Sequence, residues 1–148
     1  MTIQTPLTDD QVFALFPEVM IDRDNIDHYR AMAAGQLVIR QCQDCGHWVY
    51  PHRPICPECW SWNLPFREIS GRGKVFMFTL IHQARDPNEP IFEPVPVAAI
   101  ELEEQQGLRY LATVVNCLPH QIALDMPVSL VWQQHNGVPS PAFEPVKE

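Results

Sequence analysis

With 148 residues, 46% of them apolar, the chain has room for one domain, or a small domain with an appendage, and for a real core without disulfides. Its formal net charge of −8 counts against a nucleic-acid role, because phosphate backbones attract basic surfaces. No apolar run is long enough to cross a bilayer, and the polar Met1–Thr8 stretch lacks the basic start of a signal peptide, so a cytoplasmic protein with no membrane partner is expected.

The first 35 residues read as two short helices. Thr8, followed three residues on by Gln11, is a capping-box pattern. Val12, Leu15, Phe16 and Val19 recur at helical spacing until Pro17 interrupts them. Asp24 is a candidate N-cap for the second helix, whose apolar stripe would be Ile26, Tyr29 and Ala33, with Gly35 as the stop. Two such helices cannot bury their faces alone, and packing on their own chain is the expectation.

Leu37–Arg40 reads as a short strand running into Cys42, and Trp48–Tyr50 as its opposing strand. The stretch from Cys42 to Cys59, CQDCGHWVYPHRPICPEC, holds two Cys-x-x-Cys pairs with ten residues between them. Each pair sits on a tight turn that points both sulfurs at one ion, and four thiolates close a tetrahedral site with metal–sulfur bonds of roughly 2.3 Å for zinc. Gly46 supplies the positive φ that helps close the first turn, and Pro57 stiffens the second. Cys42, Cys45, Cys56 and Cys59 are therefore the candidate metal ligands. A redox couple would want a thioredoxin-like pattern that is missing here, and two disulfides would want an oxidising compartment. Iron is the rival metal: Cys45-Gly46 and Cys56-Pro57-Glu58-Cys59 look like the loops of rubredoxin, although the gap between pairs is far shorter. Trp60 and Trp62 follow the last ligand at once. Core or lobe-to-lobe packing is the first expectation for them, and a contact surface the second.

After Gly71 the chain turns to strands. Lys74–Gln83 is apolar on both faces and should be central and covered on both sides. Pro87–Pro96 must be a loop. Val97–Leu102, Leu108–Val115 and Val128–Gln133 follow as strands, and the Pro-rich tail from Val138 should be extended. Short strands with Gly- and Pro-rich breaks fit a small OB-like barrel. The fold class is thus mainly β: a helical segment over 1–35, a rubredoxin-like zinc ribbon over 36–70 and an OB-fold domain over 71–148.

No catalytic set stands out. Six histidines show no spacing that pairs them with a nucleophile or a second metal, and His82 and Asp86 meet no better than most His–Asp pairs. Cys117 reads as a buried, inert thiol. The isolated chain is not expected to catalyse a reaction.

The ordered set of motifs resembles the zinc-ribbon plus OB-fold acyl-CoA-associated family known as domain of unknown function thirty-five. The resemblance runs through Gly35-Gln36-Leu37, the two cysteine pairs, Tyr50-Pro51-x-Arg53, Ser70-Gly71-Arg72-Gly73, Met126-Pro127-Val128 and Phe143-x-Pro145. It covers roughly residues 26 to 147. The family usually has Pro in the slot of His52, and the histidine is expected to face solvent in a loop. The resemblance implies an accessory subunit, part of a hetero-oligomer, that partners a thiolase-like or hydratase/aldolase enzyme and helps hold acyl-CoA. Coenzyme A carries phosphates that Arg can grip bidentately. Arg53, Arg72 and Lys74 are the candidate CoA-binding residues, the last two beside glycines that let backbone approach a ligand. Phe76 and Phe78 pack in the core or line a tunnel for the acyl arm. A single-stranded nucleic-acid module is the alternative reading, since ribbons and OB barrels both bind single strands. A third is an electron carrier with iron in the four-cysteine site.

Overall fold

The computed structural model describes residues 5–82, 88 and 93–147. Two helices, Asp9–Leu15 (α1) and Ile26–Ala33 (α2), precede eight strands: Val38–Gln41 (β1), Trp48–Val49 (β2), Phe66–Glu68 (β3), Arg72–Ile81 (β4), Val95–Leu102 (β5), Arg109–Val114 (β6), Pro127–His135 (β7) and Val138–Pro145 (β8). The strands form a three-stranded sheet ordered β2-β1-β3 and a closed barrel ordered β4-β5-β6-β8-β7, as expected for a ribbon and an OB-like barrel. Two compact units result: the chain through Ile69 with Trp132–Ser140, and Ser70–Val131 with the chain from Pro141 on. No helix among the described residues is long and apolar enough to cross a membrane.

In the first unit, Thr8 caps α1 as expected. Its hydroxyl accepts from the Gln11 amide at 3.3 Å, and the Gln11 side chain accepts from the Thr8 amide at 2.9 Å. Pro17 lies just beyond the end of α1. Arg30 ties the helices together by donating to Leu7 O at 2.8 Å and by pairing with Asp9 and Asp27. Three expectations need correction. The cap of α2 is Asn25 and not Asp24, and Asp22 instead satisfies the Asp24 and Asn25 amides at 2.8 and 3.0 Å. The buried face of α2 is His28 and Met32, one turn apart, not the Ile26–Tyr29–Ala33 stripe. On α1 only Val12 is buried, whereas Leu15 and Val19 of the expected stripe are partly exposed.

The three-stranded sheet is small. β1 pairs antiparallel with β2 through Arg40↔Val49 and with β3 through Ile39↔Arg67. The sequence pattern does not announce β3, whose three residues show no alternation. Arg40 serves the fold: its guanidinium donates to Leu64 O at 2.8 Å and Asp24 O at 3.2 Å and lies 4.4 Å from the Phe66 ring centre.

The second unit is built on alternation. Along β5 every second residue is buried (Pro96, Ala98, Ile100, Leu102), and along β6 Tyr110, Ala112 and Val114. Val75, Val128 and the fully buried Phe143 join them. The Pro-rich tail is a strand, β8, and it closes the barrel by pairing parallel with β6 at Thr113↔Ala142 and Val114↔Phe143. The expectation that β4 is covered on both sides fails. Val75 is its one buried residue, while Met77 is 57% exposed, and Leu111, in the same cross-strand row through Ala99, is 66% exposed. The outer side of the barrel thus carries an uncovered apolar row. Of the predicted strand, Gln83 lies outside the described residues, as do Pro87 and Pro90 of the predicted loop. Pro96 of that loop belongs to β5.

Candidate metal centre

The two cysteine turns are copies of one hydrogen-bond pattern. The Cys42 amide donates to His47 O at 2.8 Å and the Gly46 amide to Cys42 O at 2.9 Å; the Cys56 amide donates to Ser61 O at 2.9 Å and the Trp60 amide to Cys56 O at 2.9 Å. Residues fourteen apart are therefore equivalent: Cys42 with Cys56, Cys45 with Cys59, Gly46 with Trp60. Each turn brings the fifth residue to positive φ, +79° at Gly46 and +63° at Trp60. The turns are tied together by the Gln43 amide on Asn63 O at 3.0 Å and by the Ser61 hydroxyl on the Asp44 carboxylate.

This scaffold draws together the four cysteines that their spacing singles out. All four sulfurs lie within 4.8 Å of one another, with Cys42 Sγ 3.5 Å from Cys59 Sγ and Cys45 Sγ 3.6 Å from Cys56 Sγ. A tetrahedron with metal–sulfur bonds of about 2.3 Å has edges of about 3.8 Å, so the set is the right size for one ion. Cys42 and Cys56 are buried, whereas Cys45 and Cys59 lie toward solvent. Val49 and Leu64 pack against the buried pair. Backbone amides support the sulfurs: those of Cys45 and Asp44 reach Cys42, that of His47 reaches Cys45 and that of Ser61 reaches Cys59. Burial works against the Cys42 thiolate, but those amides and the neighbouring sulfurs of Cys59 and Cys45 bring its thiol down to about 7. Cys59 goes the other way. The Ser61 amide favours its thiolate, yet burial and the other three sulfurs push its thiol up to about 12. Four thiolates this close repel one another, and a cation at their centre removes that conflict.

The residues considered for coenzyme A fall in both units. Arg53 lies exposed in the loop between the turns and makes no ion pair among the described residues. Arg72 and Lys74 line a groove of about 520 Å³ with Glu101, Glu103, Pro127 and Val128. Both cations are engaged there. Arg72 holds Glu103 through two bonds of 3.1 and 2.9 Å, and Lys74 stands 3.8 Å from Glu101 and 3.6 Å from Asp125. Gly73 is required by the protein's own packing, since a Cβ there would sit 2.5 Å from Glu101 O of the neighbouring strand. Phe76 is partly exposed and lies under the Arg109 guanidinium at 3.5 Å, so it belongs to the barrel's outer side and not to a core or tunnel. Cys117 is half-buried, its thiol raised by burial, rather than fully enclosed. Asp86 lies outside the described residues, and His82 is exposed.

Two further corrections concern aromatic side chains. His52 does not face solvent. Its ring lies among those of His28, Tyr50 and Phe66 at 4.7, 5.3 and 5.3 Å, and both ring nitrogens are buried with no hydrogen-bond partner. Burial, followed by the charges of His28 and Arg40, lowers its pKa to about 3, so it is neutral at pH 7. Trp60 and Trp62 are not core residues: they are 79% and 72% exposed.

Comparison with known proteins fits this architecture. Residues 31–64 match the family pattern described as "ChsH2, rubredoxin-like zinc ribbon domain", and residues 66–133 that described as "ChsH2, C-terminal OB-fold domain". A "DUF35 domain-containing scaffold protein" of Methanocaldococcus jannaschii is 36% identical over 100 residues, which cover 66% of this chain and 68% of that one. The chain belongs to the DUF35 family. A "Probable enoyl-CoA hydratase alpha subunit" of Thermomonospora curvata is 34% identical over 144 residues, 96% of this chain. The chain spans only 44% of that relative's length. Among solved structures, "Ltp2-ChsH2(DUF35) aldolase" superposes with a TM-score of 0.76 at 32% identity, covering 86% of this DUF35 chain and 98% of the other.

Proposed function

We propose that this DUF35 chain is an accessory subunit, not catalytic by itself, that binds acyl-CoA for a thiolase-like or hydratase/aldolase enzyme. Its four cysteines would hold a zinc ion that keeps the ribbon folded. The observation that carries the reading is the likeness over nearly the whole chain to a protein named as a hydratase subunit, together with the fold shared with the DUF35 chain of an aldolase. Zinc is favoured over iron by the zinc-ribbon family match, since four thiolates suit either metal.

In this reading Arg72 and Lys74 meet the phosphates of coenzyme A by trading Glu103, Glu101 and Asp125 for the ligand. The exchange is feasible because both cations are half or more exposed, where solvent screens such ion pairs and they contribute little. The test is mild purification of the chain from its own cell with mass identification of what co-elutes, followed by titration of the complex with a CoA thioester. A thiolase-like, hydratase or aldolase subunit at fixed stoichiometry supports the proposal. A chain that elutes alone and binds no CoA ester refutes it.

A further inference from the structure

The two metal turns are equivalent in backbone and in hydrogen bonds, but they differ at the fifth residue. Position 46 is Gly, and a Cβ there would meet nothing within 4 Å. Position 60 is Trp, at φ +63°. A bulky side chain in the left-handed region is strained where glycine is not. The indole does not repay this by burial, because it is 79% exposed. Trp62, two residues on, is 72% exposed. The ribbon therefore accepts backbone strain and presents two large apolar rings to solvent beside a rigid, metal-locked turn. Aromatic anchors on a preorganised surface are what binding hot spots are made of.

Charge indicates what such a surface accepts. Between the two rings in sequence stands Ser61, whose hydroxyl holds the Asp44 carboxylate, and Glu58 lies exposed two residues before Trp60. Neither turn, Cys42–His47 or Cys56–Asn63, contains Lys or Arg. Indole faces with carboxylates nearby suit a guanidinium, which stacks on the ring and donates to the acid. They suit a nucleic acid poorly, since the same carboxylates repel phosphate.

We propose that Trp60 and Trp62, with Asp44 and Glu58, form a docking knob for an arginine-bearing segment of the enzyme subunit that this chain serves. The proposal rests on the accessory-subunit reading, and its test separates the two. The zinc-loaded Trp60→Gly, Trp62→Ala and double variants are compared with wild type in three measurements. In thermal melts with metal analysis, Trp60→Gly keeps its zinc and its melting temperature holds or rises by about 2–4 °C. Loss of zinc or a marked fall would mean that the indole props the ribbon, and would overturn the knob. Calorimetry against the co-purified enzyme subunit should show each variant weakened by at least about 30-fold, the loss typical of a hot spot. Unchanged affinity in the double variant would refute the knob and leave the accessory reading standing. Tryptophan quenching by a short Arg-Gly-Arg peptide, with Glu-Gly-Glu as control, works even if no enzyme subunit is found. Saturable quenching by the Arg peptide alone, lost in the double variant, supports the knob. No quenching, or tighter binding of a dT oligonucleotide than of the peptide, overturns it.

Discussion

The ribbon and the barrel are held together by different means. In the ribbon, the cluster around the sulfurs consists of Cys42, Val49, Cys56 and Leu64, and half of it is candidate metal ligand. Its three strands run two to four residues, too short to bury a core by themselves. The barrel has strands of six to ten residues and an interior of Val75, Ile100, Leu102, Val114, Val128 and Phe143. On the proposed reading one part depends on chelation, which responds to pH and competing ligands. The other depends on apolar burial, which does neither. With a metal bound as proposed, the chain would have one lobe whose folding the metal switches and one whose folding it does not.

The largest expected effect tests that contrast directly. Cys42→Ser, or a strong chelator on the native chain, removes a contribution of about 10–16 kcal/mol, typical of structural zinc in small ribbons. Amide hydrogen exchange should show protection lost at Gly46 and Trp60 while the amides of β5 and β6 stay protected. Simultaneous loss in both regions would mean that the metal organises the whole chain. The reciprocal change is Phe143→Ala, which empties a fully buried site in the barrel and should cost about 3–5 kcal/mol. Metal analysis of this variant should still find one ion per chain.

The same contrast explains what the sequence revealed. Ligand spacing and the Thr8–Gln11 box are local chemistry, legible because few residues decide them. The barrel strands β5 and β6 showed as apolar runs between Pro- and Gly-rich breaks. The strand β8 did not, because Pro139, Pro141 and Pro145 argue against a ladder, yet its pairing with β6 runs through Ala142 and Phe143. His52 and the exposed tryptophans were misread for a shared reason. Which way a ring points on a short irregular turn depends on packing against residues distant in sequence: His52 meets His28, whereas Trp60 and Trp62 stay largely exposed. The engagement of Arg72 by Glu103, thirty-one residues on, is equally a matter of strand register.

A smaller effect separates the lobes by pH. His52 has a folded pKa near 3 against an ordinary 6.5, so below pH 6.5 the unfolded chain takes up a proton that the folded one refuses. Its contribution is complete above pH 6.5 and lost progressively from there toward pH 3. The groups around it are His28 on α2, itself lowered by burial, Arg40 on β1, and Asp22. Acid also protonates the metal ligands, but it does so in any variant. The comparison is therefore wild type against His52→Phe in thermal melts at pH 7.5 and 5.5. Wild type should lose up to about 1.4 kcal/mol more than the variant at the lower pH. Parallel curves would mean that the ring finds water in solution.

The smallest expected effect on stability is also the sharpest functional test. Arg72→Ala breaks an ion pair whose two partners are exposed and screened by solvent, so the melting temperature should hardly move. Under the proposed function its effect on CoA-ester affinity in the complex should be larger, because that reading gives Arg72 a bidentate phosphate contact. Glu103→Gln should do the reverse, freeing Arg72 and tightening the ester. If both variants leave affinity unchanged, the groove beside β4 serves only to pair its own charges, and the phosphate site must lie with Arg53 or on the enzyme subunit.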